Sequence, residues 1–332
     1  MTRVNGHIDL CEILGIPNER YLDTSEGWEK LHHLLLENDA VQVIRYELKS
    51  DLNFSFVWNG EKYFFKYDRF VDSYNELVME ELLHDLNIPS VHFDLACLGN
   101  ILGVISKNYE HEDAVYIDGR TLMIESRMYD KKADIFLSSG DEEEYDSIEV
   151  KHKKYSTLED IWAALEIRYQ NRVDGIQIVA NLMQKIVDMF LFSILTSQTD
   201  QNLSNWKIIE YKDGRVDFQV LFDNERFMMI PPDFVRLSLS VLHTGSYFGS
   251  STLLKNNLQC FQNVSSSEYT SLLAEMLWVL ESENVEKIIA RIEKRTEHPM
   301  PEKFKQNLLN NFGCQLEFLK KALAIEGNSV KR

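Results

Sequence analysis

Two carboxylates and an amide in the second half of the chain are spaced for work on a phosphoryl group. Thr199-Asp200-Gln201-Asn202-Leu203-Ser204-Asn205 places a carboxylate five positions ahead of an asparagine, and Leu221-Phe222-Asp223 sets a second carboxylate at the end of an apolar run. Phosphoryl transfer needs a carboxylate to orient the attacking hydroxyl, oxygen ligands for a divalent cation, and a positive charge on the phosphates. Asp200 fits the first role, Asn205 with Asp223 the second, and Lys66 the third. Each residue also has a plainer reading. Asp200 and Asn205 could form an Asx-rich turn, Asp223 could cap Asn224-Glu225-Arg226, and Lys66 could be a solvated lysine on an edge strand.

These residues must be held by rigid elements, and the periodicity supplies them. Val41 to Arg45 and Phe54 to Trp58 read as strands. Asn59-Gly60 then offers the positive φ of a tight turn before a strand from Lys62 to Tyr67, which puts Lys66 on the same face as Phe64. From Ser73 onward Leu77, Met79, Leu82, Leu83 and Leu86 recur at helical spacing. In that helix Glu76 either completes a capping box with Ser73 or pairs with Lys66, with Glu80 as the second candidate for that pairing. Val91 to Leu95 and Ile101 to Ile105 follow as strands. The order is strand, strand with lysine, helix with glutamate, strand, strand.

Beyond Ser106 the pattern turns helical, interrupted by the acidic run Asp141 to Glu144. Leu158 to Tyr169 reads as one helix, and Val173 to Leu195 as a core helix that ends just before Asp200. Trp206 to Tyr211, a turn at Lys212-Asp213-Gly214, and Val216 to Phe222 make a hairpin that ends at Asp223. Three further helices are expected at Ser267 to Leu280, Val285 to Arg295 and Pro301 to Leu323. The expected architecture is α+β with two lobes sharing a cleft: residues 1–106 as a small β-rich lobe and 107–332 as a larger, mainly helical one.

Composition narrows the partners. The 332 residues carry a net charge of −18, which argues against direct nucleic-acid binding or docking to an anionic membrane, since both need a cationic surface. Four cysteines lie far apart without a CxxC pair, as expected of thiols in a reducing cytoplasm. No stretch has signal-peptide character, and the longest apolar segment, near Ile186 to Leu195, is punctuated by Asp188 and Ser193. His111 sits among Glu110, Glu112 and Asp113, but sequence neighbours rarely share one face for a metal. Thr244 to Ser251 mimics a phosphate loop yet lacks its lysine.

The residues resemble the HipA-like bacterial serine/threonine kinases, whose motif Thr-Asp-x-His-x-x-Asn precedes a hairpin and a Tyr-Asp or Phe-Asp pair. Thr199 to Asn205 and Phe222-Asp223 occupy those places, and Asn75-Glu76-Leu77 to Ile88-Pro89-Ser90 is similar to the family's Asn-Glu helix and following turn. The resemblance covers roughly residues 40–230. It implies a bilobal protein-kinase-like fold using ATP and Mg2+. Asp200 would be the catalytic base, Asn205 and Asp223 the magnesium ligands, and Lys66 the phosphate-binding lysine paired with Glu76. Ser50 would lie in the nucleotide loop and Ser106 where the hinge begins.

Two departures stand out. Asn202 occupies the histidine position, and the loop Leu48-Lys49-Ser50-Asp51-Leu52-Asn53 has no glycine. The expected function is an ATP- and magnesium-dependent serine/threonine protein kinase that also acts on itself, with Ser50 as the first expected site. It would act on a protein substrate and answer to a separate regulatory or antitoxin-like protein. The alternatives are a small-molecule kinase of aminoglycoside or phosphoinositide type and a nucleotide-binding pseudokinase.

Overall fold

The structure is a computed structural model that describes residues 3–4, 7–68, 73–126, 158–196, 205–220 and 268–329. The chain divides into two compact units, Met1–Glu110 with Val285–Asn307, and His111–Asn284 with Leu308–Arg332.

The first unit is built on a seven-stranded sheet of β1 (Arg3–Val4), β2 (His7–Asp9), β3 (Val41–Glu47), β4 (Asp51–Trp58), β5 (Glu61–Asp68), β6 (Phe93–Leu98) and β7 (Ile101–Lys107), in the spatial order β1-β2-β6-β7-β5-β4-β3. β2 pairs with β6 in parallel, whereas the other pairings are antiparallel. Asn59 and Gly60, at φ 51° and 77°, close the β4–β5 hairpin as a turn of mirror-image hand that matches the strand twist. The β3–β4 hairpin is tighter than the sequence suggests. Only Leu48, Lys49 and Ser50 form the turn, because Lys49 adopts φ 60° and Asp51 already pairs with Glu47. Half of the expected nucleotide loop is therefore strand.

Alternation gives this sheet two unlike faces. Phe54 opposite Phe65 and Phe56 opposite Tyr63 project to one side, and Asn53 opposite Lys66 and Ser55 opposite Phe64 to the other. The aromatic side is covered by the N-terminal helices α1 (Leu10–Leu14) and α2 (Ser25–Leu36). Thr24 starts α2 by accepting a hydrogen bond from the Gly27 amide. Trp28, Leu31 and Leu35, at helical spacing, are then fully buried in one cluster with Phe54, Phe56 and Phe65. Burying each such side chain stabilises by roughly 1.5–3 kcal/mol, which accounts for the segment before residue 40.

Helix α3 (Tyr74–Asp85) buries Leu77, Val78, Met79, Leu82 and Leu83. Its first turn is not a capping box. Ser73 has helical φ and ψ, and its hydroxyl donates instead to the Leu102 carbonyl on β7 at 2.9 Å.

The second unit contains a three-stranded antiparallel sheet of β8 (Ala114–Asp118), β9 (Lys207–Tyr211) and β10 (Val216–Phe218), in the order β10-β9-β8. Around it are α4 (Gly119–Glu125), α5 (Leu158–Tyr169), α6 (Gly175–Thr196) and α7 (Glu268–Met276). By length and apolarity α6 could cross a bilayer, but 72% of its most apolar window is buried inside the protein. Its buried Ser193 and Thr196 hydroxyls donate back to the carbonyls one turn earlier, and Gln315 donates to the Ile194 carbonyl at 2.9 Å.

The last two helices are α8 (Ser282–Thr296) and α9 (Glu302–Ser329). Residues 285–307 group with the first unit, although the sequence reading placed everything after 106 in the second. The physical reason is a set of ion pairs between α8 and α3, which no sequence periodicity reveals.

Candidate functional site

Lys66 lies on β5, between β4 and β7, so it is not the solvated lysine of an edge strand. Its Nζ stands 3.6 Å from Glu76 Oε1, with side-chain exposures of 26% for the lysine and 3% for the glutamate. Of the two roles open to Glu76, the structure realises the pairing with Lys66. Strand register puts Asn53 and Val104 directly beside Lys66, and the period of two adds Asp51, Asp68 and Ser106 to the same face.

Close approach is enforced at Gly103. A Cβ there would lie 2.5 Å from the Lys66 carbonyl oxygen and 2.5 Å from the Phe65 ring. The backbone beneath the lysine is therefore fixed on both sides.

This face carries buried acceptors. Oδ1 of Asn53 and Oδ1 of Asp51 are buried with no hydrogen-bond donor among the described residues. Burial raises the Asp51 pKa above the ordinary carboxylate value, against the pull of Arg45, whose Nε sits 2.9 Å from its other oxygen. A cation backed by a buried carboxylate, beside acceptors lacking donors, fits a ligand with phosphates at one end and hydroxyl or amine donors at the other. Ser106 is half-buried on β7, opposite Phe64 and Phe93. Ser50 sits in the β3–β4 turn, where its hydroxyl donates to Glu47 at 3.3 Å.

Glu80, the second candidate for Lys66, is committed elsewhere. Its carboxylate accepts from both terminal nitrogens of Arg295 at 3.0 Å and from the Phe93 amide at 3.1 Å, and it lies 2.5 Å from His92 Nδ1. Burial alone would raise its pKa, but these donors outweigh burial and hold it below the usual range. The same bond to Glu80 raises the His92 pKa.

In the second unit, Asn205 is half-buried at the entry to β9. The residue after it is anchored: Trp206 is 1% exposed, stacks on Phe218 at 5.8 Å, and accepts a hydrogen bond from the Gly119 amide. Asp200, Asn202 and Asp223 lie outside the described residues, as do Asp141 to Glu144 and Thr244 to Ser251. Among the described residues no group of three or more His, Cys, Asp or Glu is placed to hold a metal, the segment around His111 included.

The second unit also has a pocket of about 520 Å³ that the sequence reading did not find, lined in part by Arg168, Tyr169, Arg172, Glu210 and Arg215. Arg168 bonds Glu210 through two nitrogens at 2.7 and 3.0 Å and also reaches Glu125, while the Tyr169 hydroxyl donates to Glu210 at 2.8 Å. Arg172 holds Asp174, and Arg215 holds Asp213. Each arginine is matched by a carboxylate, so the pocket is a brace between α5 and β9 and not an anion site.

No protein-family model and no curated protein sequence matches the chain. Solved structures do. The proinflammatory kinase CtkA of Helicobacter pylori aligns over 85% of this chain and 96% of its own, with a TM-score of 0.52 at 13% identity. The fold is protein-kinase-like. A structure of the Shewanella oneidensis MR-1 toxin–antitoxin system HipA, HipB and its operator DNA aligns over 93% of this chain and 76% of its own, with a TM-score of 0.50 at 14% identity. Lys66 on β5 and Glu76 on α3 both belong to the first unit.

Proposed function

We propose that the chain is an ATP- and Mg2+-dependent serine/threonine protein kinase. The Lys66–Glu76 pair carries the reading: a lysine on an interior strand, held at 3.6 Å by a glutamate only 3% exposed. Leaving such a carboxylate buried needs a cation, and the same cation is what nucleotide phosphates require. Lys66 would bind the phosphates. The buried acceptors of Asn53 and Asp51 would take donors of the nucleotide, and Asn205 with Asp223 would hold Mg2+, which neutralises charge on the phosphates when bound. Asp200 would accept the hydrogen bond of the attacking hydroxyl and orient it.

The acceptor is a protein hydroxyl, one candidate being this chain's own Ser50. Phosphate there would stand against Glu47, so modification would loosen the turn beside the nucleotide face. A cytoplasmic location and a separate regulatory protein complete the reading. The net charge of −18 gives no support to direct contact with DNA.

The test is transfer from radiolabelled ATP to the chain itself and to a mixed peptide substrate. Asp200→Ala should lower transfer by about 10² or more while ATP binding persists, the usual scale for a positioned base. Asp223→Ala should abolish the ATP–Mg2+ increase in Tm, which reflects about 2.7 kcal/mol of added stability at 100 times Kd. Binding without transfer in the wild type would replace the proposal with a pseudokinase, and transfer to an aminoglycoside alone with a small-molecule kinase.

A further inference from the structure

The acidic residues of α3 that do not meet Lys66 are gathered by one other element. Arg295 on α8 grips Glu80 with both terminal nitrogens at 3.0 Å and approaches Glu81 at 3.3 Å. Arg291, one turn earlier, holds Glu81 at 2.6 Å and Asp85 at 2.8 Å. His92, just before β6, and the Phe93 amide at its start close on Glu80, with Asp94 3.7 Å from the other ring nitrogen of His92. The side chains of Glu80, Glu81 and Asp85 are 12%, 12% and 16% exposed and that of Arg295 is 23%, so the Arg295 contacts are sheltered, whereas Arg291 is 40% exposed. Everything involved lies within the first unit.

We propose that α8 is a built-in clamp on α3, and that Arg291 and Arg295 are positioning residues that set the Lys66–Glu76 pair. This inference rests on the kinase reading for its effect on transfer. The geometry is that of one rigid helix. Glu76 and Glu80 are four residues apart and so lie about 40° apart around the axis, one turn above the other. A side-chain carboxylate stands about 5–6 Å from that axis, so a turn of α3 by about 20° sweeps Glu76 by about 2 Å. Such a displacement takes the 3.6 Å pair beyond ion-pairing range. The planar fork of Arg295, engaged on two oxygens, resists that rotation, and a single-point ammonium does not.

The experiment compares Arg295→Lys with wild type in the full chain, alone and in a Glu76→Gln background, measuring kcat and KM for ATP in transfer from radiolabelled ATP. Misplacement by 1 Å costs up to about 10²-fold, so Arg295→Lys should lower kcat by about tenfold or more with KM for ATP little changed. In the Glu76→Gln background it should add almost nothing, because the pair it sets is already gone. A merely structural role would give the same loss in both backgrounds. That result, or an unchanged kcat, overturns the proposal while leaving the kinase reading intact. If wild type transfers nothing, the kinase reading fails and hydrogen exchange decides the clamp: α3 amides from Val78 to Leu82, which bond within the helix, must exchange faster in Arg295→Lys, and equal protection rejects it. Should that variant not fold, Arg291→Lys is subject to the same comparisons.

Discussion

Replacing Gly103 by alanine is the sharpest probe of the sheet that carries Lys66. The added methyl would lie 2.5 Å from the Lys66 carbonyl oxygen and 2.5 Å from the Phe65 ring, whereas real contacts of this kind stay beyond 3.0 Å. Neither neighbour can yield. The carbonyl belongs to an interior strand, and Phe65 is 1% exposed within the main cluster. Overpacking of this sort costs about 1–3 kcal/mol, and the upper part of that range applies where backbone is struck. Alanine recovers about 0.5–1 kcal/mol of the entropy that glycine loses in a strand, leaving a net loss of about 2 kcal/mol. For a chain of 332 residues that corresponds to a fall in Tm of roughly 3 °C. The control is Gly313→Ala inside α9, where an added methyl meets no atom within 4 Å, so the same change should stabilise by about 0.5–1 kcal/mol. Urea unfolding of both variants measures the two signs. A Gly103→Ala protein as stable as wild type would refute the spacing of β5 and β7 described above.

Three further outcomes are expected. The bond to Glu80 raises the His92 pKa, so the stability from that contact is complete below the free-histidine value of about 6.5 and is lost as pH rises through the folded value. Stability of wild type measured by urea unfolding should decline over that window, and His92→Gln should lack the decline. Glu210→Ala removes the acceptor of Arg168 and Tyr169. With side chains 22% and 28% exposed for Arg168 and Glu210, the usual 3–5 kcal/mol for breaking a buried pair shrinks to about 2 kcal/mol, measurable by the same method. Lys49 holds φ 60°, so Lys49→Gly should gain up to about 1 kcal/mol and Lys49→Val lose about 1–2 kcal/mol, with Tm moving in opposite directions.

What could be read in advance was governed by locality. The Asn59-Gly60 turn, the 3.6-residue pattern of α5 and α6, and the alternation that puts Lys66 beside Phe64 are properties of short windows, and each appears where the residues indicate. Glu76 was legible only as one of two roles. The choice between capping box and ion pair depended on the Ser73 hydroxyl finding Leu102, 29 residues away. The Glu80–Arg295 bonds span 215 residues and the Arg168–Glu210 bonds 42, and charged side chains leave no periodic trace of their distant partners. Helices α1 and α2 were illegible for another reason: their apolar face makes sense only once the aromatic face of the sheet exists.

The first unit is discontinuous, and this has a consequence for how the protein is made. Arg291 and its partner Glu81 are 210 residues apart. At the usual 5–20 residues per second, a ribosome delivers Arg291 about 10–40 s after Glu81. For that interval the strands and α2 can collapse on Trp28 and Phe54, but α3 carries three carboxylates that have not met their arginines. Until α8 has been made the nascent chain therefore holds its lysine and glutamate without the element that braces them, so the pair gains its final geometry only after some 210 further residues have been added.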